Sequence, residues 1–277
     1  MIIHNINPVF LSLGPISIRY YGLVYVIGFL FFYFYLKYIV KKNAIENMDS
    51  DKVDTFMIYF IIGGIIGARL LDFIFYNPGI LFNDPLEFFR VWHGGMSIHG
   101  GVIGAAIAAL LFTKKYKVKF YKLADITAIP LMLFLGIGRI ANFINGELWG
   151  TLSNSALCID YSKSQYILNP PIGCRYPYQI FASLKNFAVA GIMLIVTGTK
   201  KLKDGLLFWY SILLYSIGRF LLDFVREDPR LLGISMGQLL CVIFAIVSIY
   251  FIIKIYLDKK TDNVTAVKIK THSSRHK

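Results

Sequence analysis

Long apolar runs separated by short polar breaks set the pattern of this chain. Seven stretches read as membrane-length helices: residues 18–38, 53–76, 97–113, 123–144, 178–197, 206–223 and 237–257. Most carry about 20 mainly apolar residues, enough to cross a hydrocarbon core of ~30 Å as helix. The third is the shortest, and its start at His99-Gly100-Gly101 is not plain lipid-facing helix. No internal repeat is visible. The pattern predicts an all-α polytopic membrane protein with seven transmembrane helices. A single seven-helix transmembrane domain would cover residues 1–257, with an external loop at about 146–177. Residues 258–277 would form a basic cytoplasmic tail.

Composition agrees with that reading. Of 277 residues, 56% are hydrophobic and only 16% charged, which is membrane-like rather than soluble-globular. A net charge of +13 could suggest nucleic acid. The basic residues are scattered between apolar spans, however, so membrane topology and anionic lipid account for them better, and no nucleic-acid partner is expected. Cys158, Cys174 and Cys241 follow no metal spacing and make no disulfide framework. The first two fall in the external loop, where they could pair or remain free; the third reads as packing. The N-terminus lacks the flank and cleavage site of a signal peptide, so its first apolar run is expected to stay as a helix.

Lysines set the orientation. They cluster between spans one and two (Lys37 to Lys52), three and four (Lys114 to Lys122), five and six (Lys200 to Lys203), and from Lys254 onward. All four clusters fall on one side, which the positive-inside rule makes cytoplasmic. The N-terminus is then outside and the C-terminus cytoplasmic. Arginines behave differently. Arg19, Arg90, Arg139, Arg175, Arg219, Arg226 and Arg230 fall at or near the outer face, and Arg69 in the outer half of span two; only Arg275 is cytoplasmic. Some can pair locally: Arg69 with Asp72, Arg219 with Asp223, Arg226 with Glu227 or Asp228. Pairing alone does not explain their gathering on one face, whereas a planar guanidinium fork suits phosphate.

The densest chemistry lies between Gly138 and Gly150, where an arginine, two amides, a carboxylate and three glycines follow an apolar run. Polar groups at the end of a membrane-length helix are costly and mark a functional site. Tyr21 of span one, His99 of span three, Arg139 and Asn142 of span four, and Arg219 and Asp223 of span six all fall at that outer depth. Arg139 with Asn142, and Arg219 with Asp223, have the spacing of one helix face. Tyr20, Trp92 and Trp149 read as interfacial anchors. Gly63, Gly67 and Gly104 read as helix packing. The glycines around His99 read instead as a place where backbone approaches a ligand. Together these residues describe an outward-facing polar cavity for a phosphate-bearing amphiphile. Physics alone leaves open a lipid-modifying transferase, a lipid transporter and a lipid-regulated channel.

Residues 92–101, Trp-His-Gly-Gly-Met-Ser-Ile-His-Gly-Gly, followed by Gly138 to Gly150, closely resemble the bacterial prolipoprotein diacylglyceryl transferases. Further matches are Arg19 to Leu23, Gly67 to Arg69, Gly218 to Phe220, Phe224 to Glu227 and Ser235 to Gln238, in the family's order and over almost the whole chain except the tail. The resemblance implies a multi-pass enzyme of the bacterial cytoplasmic (inner) membrane, with its active site toward the outer face. It would transfer the sn-1,2-diacylglyceryl group of phosphatidylglycerol to the lipobox cysteine thiol of a preprolipoprotein signal peptide, releasing glycerol phosphate. The family's catalytic set maps to His99, Arg139, Arg219 and Tyr21. Its phosphatidylglycerol-binding set maps to Arg139, Asn142, Glu147, Gly150, Arg219 and Asp223. Two departures stand out. Asp223 replaces the usual Glu, and Tyr176 to Ala182 lacks the family's common His and Glu. No metal or other cofactor is expected. The rival reading is a lipid-binding transporter or scaffold without transferase activity. A transporter should carry polar groups through the inner half of its spans, which here are almost uniformly apolar.

Overall fold

The computed structural model describes residues 2–14, 16–75, 77–91 and 94–258. Trp92, His93 and the tail beyond Asp258, Arg275 included, lie outside the described residues. Among the described residues, eight α-helices run in chain order: α1 (Tyr20–Lys41), α2 (Ser50–Phe75), α3 (Pro78–Asn83), α4 (Ile98–Tyr116), α5 (Phe120–Ile144), α6 (Tyr178–Thr199), α7 (Leu206–Leu222) and α8 (Met236–Leu257). Among the described residues, six helices are long and apolar enough to cross a membrane: α1, α2, α5, α6, α8 and α7 with its extension to Val225. The seventh expected span exists as α4, but it stands outside that set. His99 and the glycines at its start and Lys114-Lys115 at its end leave it only a short apolar stretch.

The helices turn apolar residues outward as well as inward. On α8, Ile243, Phe244, Ile246 and Ile253 are all exposed while Cys241 and Ser248 are buried. Exposed apolar surface on this scale needs lipid around it. This is a multi-pass helical membrane protein.

Two compact units divide the chain: residues 31–123 form one, and residues 1–30 with 124–277 the other. In the smaller unit α2 packs along α4. A Cβ on Gly100 would come 2.2 Å from the Gly67 carbonyl oxygen, and one on Gly104 2.1 Å from that of Gly63. The two backbones therefore touch along a stripe of small residues. This corrects the ligand-approach reading of Gly100, whose missing side chain makes room for α2. Lower in the same pair, Phe56 and Phe112 pack edge to face at 5.2 Å.

In the larger unit α7 packs against both α6 and α8. Its apolar core joins Ala128 and Met132 of α5, Val189, Ala190 and Met193 of α6, and Leu207 of α7. Asp125 of α5 accepts from the backbone N–H groups of Gly205 (2.6 Å) and Phe208 (2.8 Å), satisfying donors that the start of α7 would otherwise leave bare. Ser235 and Gln238 form a reciprocal capping box at the start of α8.

Short strands, absent from the helical expectation, organise the loops. β2 (Val9–Leu13) and β3 (Ile16–Arg19) form an antiparallel hairpin leading into α1. β1 (Ile2–Ile3) pairs in parallel with β4 (Ile159–Asp160), which pairs antiparallel with β5 (Cys174–Arg175). β6 (Arg230–Leu231) and β7 (Ile234–Ser235) make a small hairpin before α8. The expected loop between α5 and α6 is thus a folded element. Cys158 and Cys174 form a disulfide within it, with Cα atoms 5.4 Å apart, while Cys241 is free and buried.

Candidate functional site

The larger unit gathers polar groups where α5 and α7 end and α6 and α8 begin. At the end of α5, Arg139 Nη1 donates to Asn142 Oδ1 at 3.3 Å, the contact expected of residues three apart. Asn142 is buried, and its Nδ2 donates to Glu147 Oε1 at 2.8 Å. Asn145 Nδ2 reaches the same oxygen at 3.4 Å. The backbone of Glu147 is held in turn: Gln179 of α6, fully buried, donates to its carbonyl at 2.6 Å. Arg139, Asn142 and Glu147 form one connected chain.

A second chain begins at Arg219. Its guanidinium lies 3.2 Å from Asp223 Oδ1, one turn on, and donates to the Tyr178 hydroxyl. Tyr178 donates to Asp223 Oδ1 at 3.4 Å, and Ser235 to Oδ2 at 2.9 Å. Asp223 is completely buried and has partners from three elements. A Cβ on Gly237 would sit 2.5 Å from its Oδ2, so the start of α8 closes directly over the carboxylate.

Tyr178 and Gln179, the first two residues of α6, join the two chains. Gln179 holds the Glu147 backbone, and Tyr178 bridges Arg219 and Asp223. Gly150 stands beside them. Its N–H donates to the Tyr176 carbonyl at 3.0 Å, and its carbonyl accepts from Arg175 at 3.2 Å. A Cβ there would meet the Tyr176 and Val225 carbonyls, each at 2.7 Å, so its role is close backbone packing.

Tyr21 lies on an open groove of about 630 Å³ that it shares with Arg19, Leu23, Asn145 and Glu147. Its hydroxyl is 2.9 Å from that of Tyr25. Glu147 therefore faces both the groove and the Asn142 network. His99 belongs to the other unit, where it is exposed in the first turn of α4.

The expected arginine pairs are partly present. Arg226 meets Asp228 at 3.0 Å, and Arg175 pairs with Glu227. Arg69 departs from expectation. Instead of Asp72 it faces Glu87 at 3.9 Å and donates to the carbonyls of Glu87, Phe88, Gly94 and Gly95. It is buried and ties down the turn before α4.

Sequence reasoning left Tyr178, Gln179 and Ser235 without roles, although Ser235 to Gln238 and the 176–182 segment both drew attention. It also passed over His4, which is 2% exposed. The His4 Nε2 bonds to the Phe143 carbonyl at 2.7 Å, and its ring packs on Phe143 and Tyr161. Burial holds its pKa below the ordinary value despite that bond.

A family model described as prolipoprotein diacylglyceryl transferase matches residues 8–254. Relatives named phosphatidylglycerol–prolipoprotein diacylglyceryl transferase match along nearly their whole length. That of Rickettsia bellii (strain OSU 85-389) is 37% identical over 259 residues, 90% of this chain and 95% of the relative. That of Rickettsia typhi is 38% identical over 266 residues, 92% of this chain and 99% of the relative. That of Rickettsia canadensis is 38% identical over 252 residues, 87% and 94% respectively.

Proposed function

Because the chain belongs to the prolipoprotein diacylglyceryl transferase family, we propose that it moves the sn-1,2-diacylglyceryl group of phosphatidylglycerol onto the lipobox cysteine thiol of a preprolipoprotein and releases glycerol phosphate. The observation that carries this reading is the pair of guanidiniums, Arg139 held by the buried Asn142 and Arg219 held by the buried Asp223 and the Tyr178 hydroxyl. Arg219 has a buried carboxylate partner, whereas Arg139 is held by an amide and keeps donors available for a phosphate.

The acceptor thiol, with an unperturbed pKa near ~8.5, reacts as thiolate. It attacks the glycerol carbon bearing the phosphate ester, forming a C–S bond as the C–O bond breaks. The bonding pair of that C–O bond leaves on the phosphate, which becomes a phosphomonoester. Negative charge grows there, and preorganised guanidiniums stabilise it more than they stabilise the intact diester. Asn142 with Glu147, and Asp223 with Tyr178 and Ser235, hold the two arginines in position. Tyr21 borders the groove beside Glu147 and is assigned to lipid binding along it. The resemblance, rather than geometry, names His99 as a functional residue, and an imidazole is suited either to take the thiol proton or to hydrogen-bond the lipid.

The same reading takes α4 as a seventh span, with the N-terminus outside and the C-terminus cytoplasmic in the inner membrane. Two independent features support that orientation. Lysines cluster at the opposite ends of the helices. The Cys158–Cys174 disulfide fits an oxidising compartment for the loop between α5 and α6.

The test uses purified protein, phosphatidylglycerol and a lipobox peptide, following glycerol phosphate release and peptide mass. Release and diacylglyceryl addition are expected with a Cys acceptor and not with a Ser control. Lipid binding without either product would overturn the transferase reading in favour of a scaffold or transporter.

A further inference from the structure

Among the described residues, β3 pairs with β2 alone, so one of its edges carries no strand. The direction of its backbone can be followed from the Tyr20 N–H, which donates to the Pro8 carbonyl at 3.1 Å and so points toward the β2 side. Across the trans peptide before it, the Arg19 carbonyl points the other way. The register shift lies in β2, between Val9 and Leu11, and leaves the alternation along β3 unbroken. Two residues back, Ser17 therefore turns its N–H and C=O to the same free edge as Arg19. An uncovered edge of this kind is a template for another strand.

That edge opens on the groove of about 630 Å³ beside Tyr21, where Ser17, Ile18 and Arg19 are all lining residues. Successive side chains of a strand point to opposite faces. Three consecutive residues on one groove therefore mean that it runs along the edge of β3 rather than over one face. Among the described residues, none of β2 lines it, which makes the edge the free one. Asn145 lines the groove too. Its Nδ2 is spent on Glu147, whereas its Oδ1 is buried and has no hydrogen-bond partner among the described residues. A buried acceptor without a donor is uncommon and calls for one.

An extended main chain answers both needs, with alternating N–H and C=O groups for the edge and a further N–H for the amide. An acyl chain answers neither. We propose that the acceptor peptide binds as an added strand along the free edge of β3, at Ser17 and Arg19, with Asn145 Oδ1 accepting one of its N–H groups. This rests on the transferase reading for which peptide binds, but not for an extended main chain as the ligand. Tyr21 and Glu147 line the same groove, so a peptide on β3 and a lipid beside Tyr21 would meet there, as transfer between them requires. Main-chain bonds give affinity with little demand on side chains, which leaves the thiol to decide which peptides react.

The experiment uses the full-length protein in detergent micelles with phosphatidylglycerol and a series of lipobox peptides, each N-methylated at one backbone amide. Methylation removes a donor and blocks close approach to an edge. Edge pairing predicts a period of two: KM for the peptide should rise about three- to tenfold at alternate positions and little at those between. Ser17→Pro removes an outward N–H where an edge strand tolerates proline. It should raise the peptide KM by a similar factor and leave the KM for phosphatidylglycerol in place. A flat scan, or a uniform rise without alternation, overturns the proposal. Should Ser17→Pro not fold, the scan on the wild type decides. A photo-crosslinking residue in place of Ser17 identifies the occupant directly, with a peptide whose Cys is replaced by Ser as the probe. Capture of the peptide is expected; capture of phospholipid or of a second copy of the chain in its place overturns the proposal. A Cys peptide that is captured but never modified would sink the transferase reading alone. Modification with neither alternation nor capture would sink the β3 assignment alone.

Discussion

Asn142 Nδ2 lies 2.8 Å from Glu147 Oε1, while the other end of the same amide accepts from Arg139. An amide is the one side chain of this size that can donate to a carboxylate and accept from a guanidinium at once. Asn142→Asp keeps the shape but sets a second carboxylate against Glu147. Turnover should fall by roughly a hundredfold, the cost of about 3 kcal/mol in a charged, buried contact. Glycerol phosphate release measures it, and a loss below about threefold would remove Asn142 from the positioning role.

Arg139→Lys keeps the charge and loses the fork. One ammonium cannot hold Asn142 and present parallel donors to a phosphate. A severe loss of turnover is expected with the protein still folded, and near-normal activity would end the phosphate-clamp assignment.

Asp223 is a stability residue as much as a site residue. Asp223→Ala removes the partner of a largely buried guanidinium, which costs about 3–5 kcal/mol when the remaining charge has nothing to replace it. Asp223→Glu restores the charge but pushes a methylene toward Gly237, where there is no room for it. Thermal unfolding in detergent should rank wild type above Asp223→Glu and Asp223→Glu above Asp223→Ala. A reversed order of the two variants would contradict the closure of α8 over the carboxylate.

His4 predicts a pH dependence outside the membrane-spanning segments. Burial lowers its pKa from the ordinary 6.5, so on acidification the unfolded chain takes up a proton before the folded chain does. Its contribution is complete above about 6.5 and is lost as pH falls through the lowered value. Asp160, whose carbonyl accepts from the His4 N–H, also loses stability on acidification. Bonds from Ser162 hold its carboxyl below the usual 3.8, so its window lies further down. His4→Gln keeps a donor for Phe143 and does not titrate. Its melting temperature should depend on pH less steeply than that of the wild type between about pH 7 and 5; parallel curves would exclude His4.

How much of this was legible in the sequence depends on how far apart the interacting residues lie. Helices were readable because apolar length is a local property, as were Arg219 with Asp223 and Arg139 with Asn142, one turn apart on their helices. Tyr178 and Ser235 were not, since their roles come from segments more than forty and about ten residues away from Asp223 that only the fold brings together. Arg69 misled for another reason: its partners are backbone carbonyls, which every residue has and no sequence pattern marks. The two-residue strands carry too few positions to show alternation.

The parallel pairing of β1 with β4 has a consequence for the order in which this protein is completed. Ile2 and Ile3 are synthesised before their partners, Ile159 and Asp160, which follow only after α1 to α5 have been made. β4 also pairs with β5, which ends at Arg175. Until that stretch has been synthesised, Ile2 and Ile3 have no strand to pair with. The sheet of β1, β4 and β5 therefore waits on a late arrival, and β1, though made early, is among the last parts to find its place.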